Sequence, residues 1–192
     1  HFILARGLLR TLLGRYMDLD PHNLTFHYNA YGKPSLDKAH HQTGLCFNLS
    51  HSHGLALYAV TQSRRIGIDI EKIHADFAID EIAKRFFSAN EHTRIKDLPS
   101  HQQTEAFFNC WTRKEAYIKA IGKGLSLPLD QFDVSLTPGE PAALLWVNDK
   151  QEEHTSWFLR ELSPVSGYKA AMAVDEHGLV IKQFDGAGLL ST

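Results

Sequence analysis

Ile66-Gly67-Ile68-Asp69-Ile70-Glu71 alternates between β-branched residues and a glycine or carboxylate, and that period of two predicts a strand. Ile66, Ile68 and Ile70 form a face that wants a core. Gly67, Asp69 and Glu71 form the other face. Carboxylates two apart on a strand stand about 6.6–6.8 Å apart, so one cation fits between them, with oxygens at about 2.0–2.1 Å for Mg²⁺. Gly67 is expected to leave that face open to a substrate. On this stretch alone, a half-exposed strand with two solvated acids is the simpler reading.

The surrounding chain has 192 residues, 43% hydrophobic and 22% charged, which suits one globular domain or two small joined ones. No run of 18 apolar residues occurs, so no membrane span is expected. Cys46 and Cys110 sit inside apolar patterns and read as buried thiols in a reducing compartment. The net charge of −2 is uneven: residues 1–65 carry a net +4 and residues 66–192 a net −6. Such an asymmetry would suit a phosphate-rich ligand held between a basic part and an acidic one.

Before the central strand, a leucine stripe (Leu4, Leu8, Leu9, Leu12, Leu13) predicts a helix over 2–17. Leu24 to Tyr28 reads as a strand. Ala30 to Pro34 reads as a turn that presents Lys33, by itself an ordinary solvated lysine. Strands at 44–49 and 55–61 flank Ser50-His51-Ser52-His53-Gly54, read as a hairpin turn whose hydroxyl, imidazole and N–H groups can bond phosphate oxygens. Two histidines two apart could also take a metal, but no thiol or third histidine is near in sequence.

After the central strand, 72–77 reads as a linker and 79–87 as a short helix. Ser88-Ala89-Asn90-Glu91 is a capping box opening another helix. The longest helix is expected over 102–121, entered through a weaker box at Ser100-His101-Gln102-Gln103 and closed by Gly122. Glu115 and Lys119 are neighbours one turn apart on it. Glu115 also lies beside the core stripe of Phe107, Trp111, Ile118 and Ile121, where a buried acid needs a partner. Residues 122–130 read as an extended loop, and strands are expected at 132–136, 143–147, 156–162, 168–174 and 179–184. The resulting fold class is α+β, with residues 1–65 and 66–192 as two halves meeting at the central strand.

Five motifs then stand in register: Y-G-K-P (31–34), F-N-L-S-H-S (47–52), G-I-D-I-E (67–71), W-T-R-K-E-A-Y-I-K (111–119) and G-K-G-L-S-L-P-L (122–129). Together they resemble the 4′-phosphopantetheinyl transferases, in particular the surfactin-synthetase-activating type, a pseudo-dimer of two similar α+β halves. The resemblance implies transfer of the 4′-phosphopantetheine arm of coenzyme A to a serine of an apo acyl or peptidyl carrier protein. The reaction needs Mg²⁺, with Mn²⁺ as a substitute, and releases adenosine 3′,5′-bisphosphate. Carried over by motif, Asp69, Glu71 and Glu115 become metal ligands, Glu115 the candidate base and Lys119 the pyrophosphate contact. Lys33, Ser50, His51 and Lys114 become coenzyme A contacts. Members of this type carry a further segment with basic residues before the first helix, so the first half is expected to lack its natural start. A cytoplasmic monomer binding neither nucleic acid nor membrane is expected. Two alternatives use the same residues: a Mg-dependent nucleotide pyrophosphate hydrolase, and a non-catalytic carrier-binding relic of the fold.

Overall fold

The computed structural model describes residues 2–74, 78–148 and 153–186. Residues 75–77 of the expected linker lie outside them. Helix α1 (Phe2–Met17) opens the chain, followed by strands β1 (Phe26–Tyr28), β2 (Pro34–Leu36), β3 (Leu45–Ser52), β4 (Leu55–Gln62) and β5 (Ile66–Lys72). Helices α2 (Ile79–Phe86), α3 (Ala89–Asp97) and α4 (Ser100–Ile121) come next, then strands β6 (Phe132–Val134), β7 (Leu144–Val147), β8 (Phe158–Leu162) and β9 (Tyr168–Val174). This is mixed helix and sheet, as the expected α+β class requires.

Three apolar clusters hold these elements. Leu9 and Leu13 of α1 pack with Leu24, Leu36 and Phe47. The isoleucine face of β5 packs with Ala59, Leu162 and Met172. The largest cluster joins α2, α3 and α4 to β6–β9, with Phe107, Tyr117 and Phe132 at its centre. Strand β5 pairs antiparallel with β9, and β9 with β8.

The other edge of β5 meets β3 without a backbone ladder. Ile68 N–H donates to Asn48 Oδ1 (2.9 Å), Ile70 N–H to Ser50 Oγ (3.4 Å) and Lys72 N–H to Ser52 Oγ (3.2 Å). The constant offset of twenty residues means that the strands run in the same direction. Short polar side chains of β3 therefore satisfy the N–H groups that a parallel ladder would otherwise use. This corrects the hairpin reading of 50–54: β3 runs through Ser52, and only His53 and Gly54 form the two-residue turn, both at positive φ (43° and 89°).

Other boundaries also differ. Helix α4 begins at Ser100, with Pro99 before it and no side-chain cap, so the weaker box does not form. The box at Ser88 does form, and Gly122 ends α4 at φ 79°. Strand β2 follows directly on the Lys33 turn, and two single-turn 3₁₀ helices (124–126, 129–131) interrupt the extended loop. Residues 179–184 alternate like a strand but, among the described residues, pair with nothing in a ladder; Val180 and Phe184 are 86% and 80% exposed.

Candidate functional site

The alternation of β5 turns Asp69 and Glu71 away from the isoleucine cluster and towards α4. What brings α4 there is Gly67. A Cβ added at Gly67 would lie 2.0 Å from the Ala116 carbonyl oxygen and 2.4 Å from the Ala120 nitrogen. Gly67 is thus filled by the helix backbone rather than open to a substrate, which corrects the sequence expectation. On α4, Trp111, Glu115 and Lys119 are spaced by four and share one face, and that face meets the acids of β5.

The result is a cleft of about 520 Å³ lined by Ser50 and His51 from β3, Asp69 and Glu71 from β5, and Trp111, Glu115 and Lys119 from α4. Six of the eight residues named as site candidates are therefore brought together. Asp69 is only 2% exposed. Its Oδ1 accepts from Ser50 Oγ (2.9 Å) and from Lys119 Nζ (2.6 Å), and the same ammonium donates to Ser50 Oγ (2.9 Å). Its Oδ2 is buried without a hydrogen-bond partner. Glu71 Oε2 accepts from Ser52 Oγ (3.1 Å).

The carboxylates strain against one another. Burial, followed by the charge of Asp69, raises the Glu71 proton affinity above the usual range, against hydrogen bonds from Ser52 and Trp111 and the charge of Lys119. Glu115 is pushed up to about 7 by burial and then by Asp69, with Lys119 opposing and Glu71 adding to the rise. Three acids share the pocket with the Lys119 ammonium and with the guanidinium groups of Arg6 and Arg10, and one buried carboxylate oxygen of Asp69 is left over. That unpartnered oxygen and the all-oxygen donor set fit a hard divalent cation. Among the described residues no three His, Cys, Asp or Glu side chains stand ready around an ion as they are; the cation meeting Asp69 here is Lys119.

Lys33 and Lys114 lie elsewhere. Lys33 Nζ donates to the carbonyls of Ala120 (2.9 Å) and Ile66 (3.2 Å), tying the end of α4 to the start of β5. Burial lowers its proton affinity to about 8. Lys114 is 0% exposed. It pairs with Glu91 (2.7 Å) and donates to the carbonyls of Leu129 and Phe132, so it clamps α4 to α3 and β6. In sequence, both lysines carry only their motif; their burial depends on folds of chain 87 and 23 residues away.

Sequence reasoning gave no site role to other cleft residues: Arg6 and Arg10 of α1, Phe26 and Tyr28 of β1, and Trp111, which it placed in the core stripe of the helix. In sequence the two arginines fall among the residues of the helix outside its leucine stripe. Their spacing of four, in the basic third of the chain, was the available signal.

Residues 65–173 match the family model described as the 4′-phosphopantetheinyl transferase superfamily. The chain is 41% identical over 177 residues to the 4′-phosphopantetheinyl transferase HetI of Nostoc sp., covering 92% of this chain and 71% of that one. It is 36% identical over 173 residues to the 4′-phosphopantetheinyl transferase Sfp of Bacillus subtilis, covering 88% and 71%. The solved holo-[acyl-carrier-protein] synthase of Helicobacter pylori in complex with coenzyme A aligns with a TM-score of 0.36 at 24% identity, over 56% of this chain and 96% of that one.

Proposed function

The chain belongs to the 4′-phosphopantetheinyl transferase superfamily, and from that premise we propose that its cleft is where coenzyme A gives up its 4′-phosphopantetheine arm. The acceptor is a serine hydroxyl of an apo acyl or peptidyl carrier protein, and the by-product is adenosine 3′,5′-bisphosphate. The observation that carries this reading is the convergence of Asp69, Glu71, Glu115 and Lys119 on one cleft, three acids and a cation from two elements.

Asp69, Glu71 and Glu115 would hold Mg²⁺. When bound, the ion would offset the charge of the pyrophosphate. Ser50 and His51, on the β3 wall, would contact phosphate oxygens of coenzyme A. The serine oxygen forms a bond to the phosphorus that carries the pantetheine arm, and the bond from that phosphorus to the bisphosphate oxygen breaks. Glu115 takes the serine proton. Lys119 donates to the departing phosphate, since its ammonium already stands at Asp69. Phosphoryl transfer depends mainly on such positioning and charge stabilisation.

The fold is read as two halves, 1–65 and 66–192, joined where β3 meets β5. Cys46 and Cys110 are free, which supports a reducing, cytoplasmic setting. Among the described residues no helix is long and apolar enough to cross a membrane. The enzyme is proposed to act as a monomer.

Metal removal tests the reading. EDTA should abolish modification of an apo-carrier, and excess Mg²⁺ or Mn²⁺ should restore it, read by the mass of the carrier. Full activity in EDTA would remove the metal from the account.

Lys33 gives a separate test. In this reading it holds the scaffold rather than a phosphate. Lys33→Ala leaves two carbonyls without their donor and should cost about 1–3 kcal/mol of stability in a urea titration, with little change in the KM for coenzyme A. The KM rising while stability holds would return Lys33 to phosphate binding.

A further inference from the structure

Helix α4 ends in the turn that carries Lys119, and its last carbonyls have no partner within the helix. Two carbonyls at this end are met from the first third of the chain. Lys33 Nζ donates to the Ala120 carbonyl (2.9 Å), and Asn29 Nδ2 donates to the Gly122 carbonyl (2.7 Å). The Lys33 ammonium also suits the negative end of the helix dipole. It reaches on to the Ile66 carbonyl (3.2 Å) at the start of β5. Lys33 therefore bridges the close contact that Gly67 makes with Ala116 and Ala120.

Asn29, between β1 and β2, organises this junction. Its Oδ1 accepts from the N–H groups of Tyr31 and Lys33 (both 2.9 Å), and its own N–H donates to the Lys33 carbonyl (3.1 Å). One side-chain amide thus shapes the 29–33 turn with its oxygen and grips the end of α4 with its nitrogen. The fit is close. A Cβ added at Gly122, where φ is 79°, would stand 3.0 Å from Lys33 Cδ and 3.2 Å from Asn29 Nδ2. One residue before Ala120, Lys119 Nζ donates to Asp69 Oδ1 (2.6 Å) and Ser50 Oγ (2.9 Å). Where that ammonium stands in the cleft depends on where the last turn of α4 is seated.

We propose that Asn29 is a positioning residue for transfer: through Gly122 and Lys33 it keeps the last turn of α4 seated on β5, and so keeps the Lys119 ammonium where the departing phosphate gains charge. The assignment rests on the transferase reading given above. It also gives the turn that carries Lys33 a role. The turn is a clip, joining the first third of the chain to the helix that supplies Glu115 and Lys119.

The test is a double-mutant cycle read by the mass of an apo-carrier, with coenzyme A and Mg²⁺ saturating and enzyme in excess so that slow variants are still read. Asn29→Ala should lower the transfer rate about tenfold, the size of one hydrogen bond left unmade, with the KM for coenzyme A nearly unchanged. In a Lys119→Ala background the same substitution should change the rate less than about twofold, because a residue that acts through Lys119 has nothing left to position. Its cost in a urea titration should be equal in the two backgrounds, which separates positioning from stability. Asn29→Asp keeps the oxygen that shapes the turn but sets a second oxygen against the Gly122 carbonyl, and it should resemble Asn29→Ala. A wild-type rate from Asn29→Ala or Asn29→Asp, or a tenfold loss that persists without Lys119, overturns the assignment while leaving the transferase reading in place. No transfer by wild type would instead bring down the transferase reading itself.

Discussion

Asp69→Ala is expected to abolish transfer, with a loss of at least about 10³-fold, the upper range for removing one preorganised electrostatic group. Asp69 is the most buried acid of the cleft and the one that both Ser50 and Lys119 touch. Its Oδ2 is the buried oxygen left without a partner. No neighbouring side chain can take its position, because Gly67 is pressed against α4 and Glu71 is held by Ser52. Alanine fits the strand and removes a buried charge, so the circular dichroism spectrum should be retained. Wild-type rates from Asp69→Ala would show that the metal and pyrophosphate are held elsewhere. A loss of rate accompanied by unfolding would make Asp69 a structural residue.

Glu115→Gln is expected to lower kcat by about 10²–10⁴-fold, the usual contribution of a general base. Glutamine keeps the shape and one oxygen but cannot accept the serine proton. The affinity for coenzyme A should change little. If metal and coenzyme A binding fall in step with the rate, Glu115 is a ligand only. The same substitution has a signature in stability. The Glu115 proton affinity is raised in the fold to about 7 from an ordinary 4.5, mainly by burial and then by Asp69. A raised acid favours the fold while protonated, and that contribution is lost as pH climbs from 4.5 through about 7. Without metal, wild type should therefore be less stable than Glu115→Gln at pH 8, and the gap should close towards pH 5. Thermal unfolding in EDTA at the two pH values reads this directly. A gap that is equal at both would mean that Glu115 ionises freely in the cleft.

Much of this site could be read from the chain because two periodicities coincide. Alternation puts Asp69 and Glu71 on one strand face, and spacing by four puts Trp111, Glu115 and Lys119 on one helix face. What the sequence did not show is how those faces are held together. Gly67 looked like an opening, but it is the contact that lets α4 come close. Ser50 and Ser52 looked like part of a polar turn. With Asn48 they are a strand edge that satisfies the N–H groups of β5, and Ser50 and Ser52 also bond its two acids. Lys33 and Lys114 carry motif positions, yet their ammonium groups are consumed by carbonyls and Glu91 from distant parts of the chain. Residues 179–184 have the alternation of a strand and, among the described residues, no partner for a ladder, and local pattern cannot supply one.

The most direct measurement is the intact mass of an apo-carrier protein after incubation with coenzyme A, Mg²⁺ and either wild type or Asp69→Ala. The account predicts a gain of one phosphopantetheinyl group with wild type and an unchanged mass with Asp69→Ala. An unchanged carrier mass with wild type, or the same gain from both proteins, would contradict it.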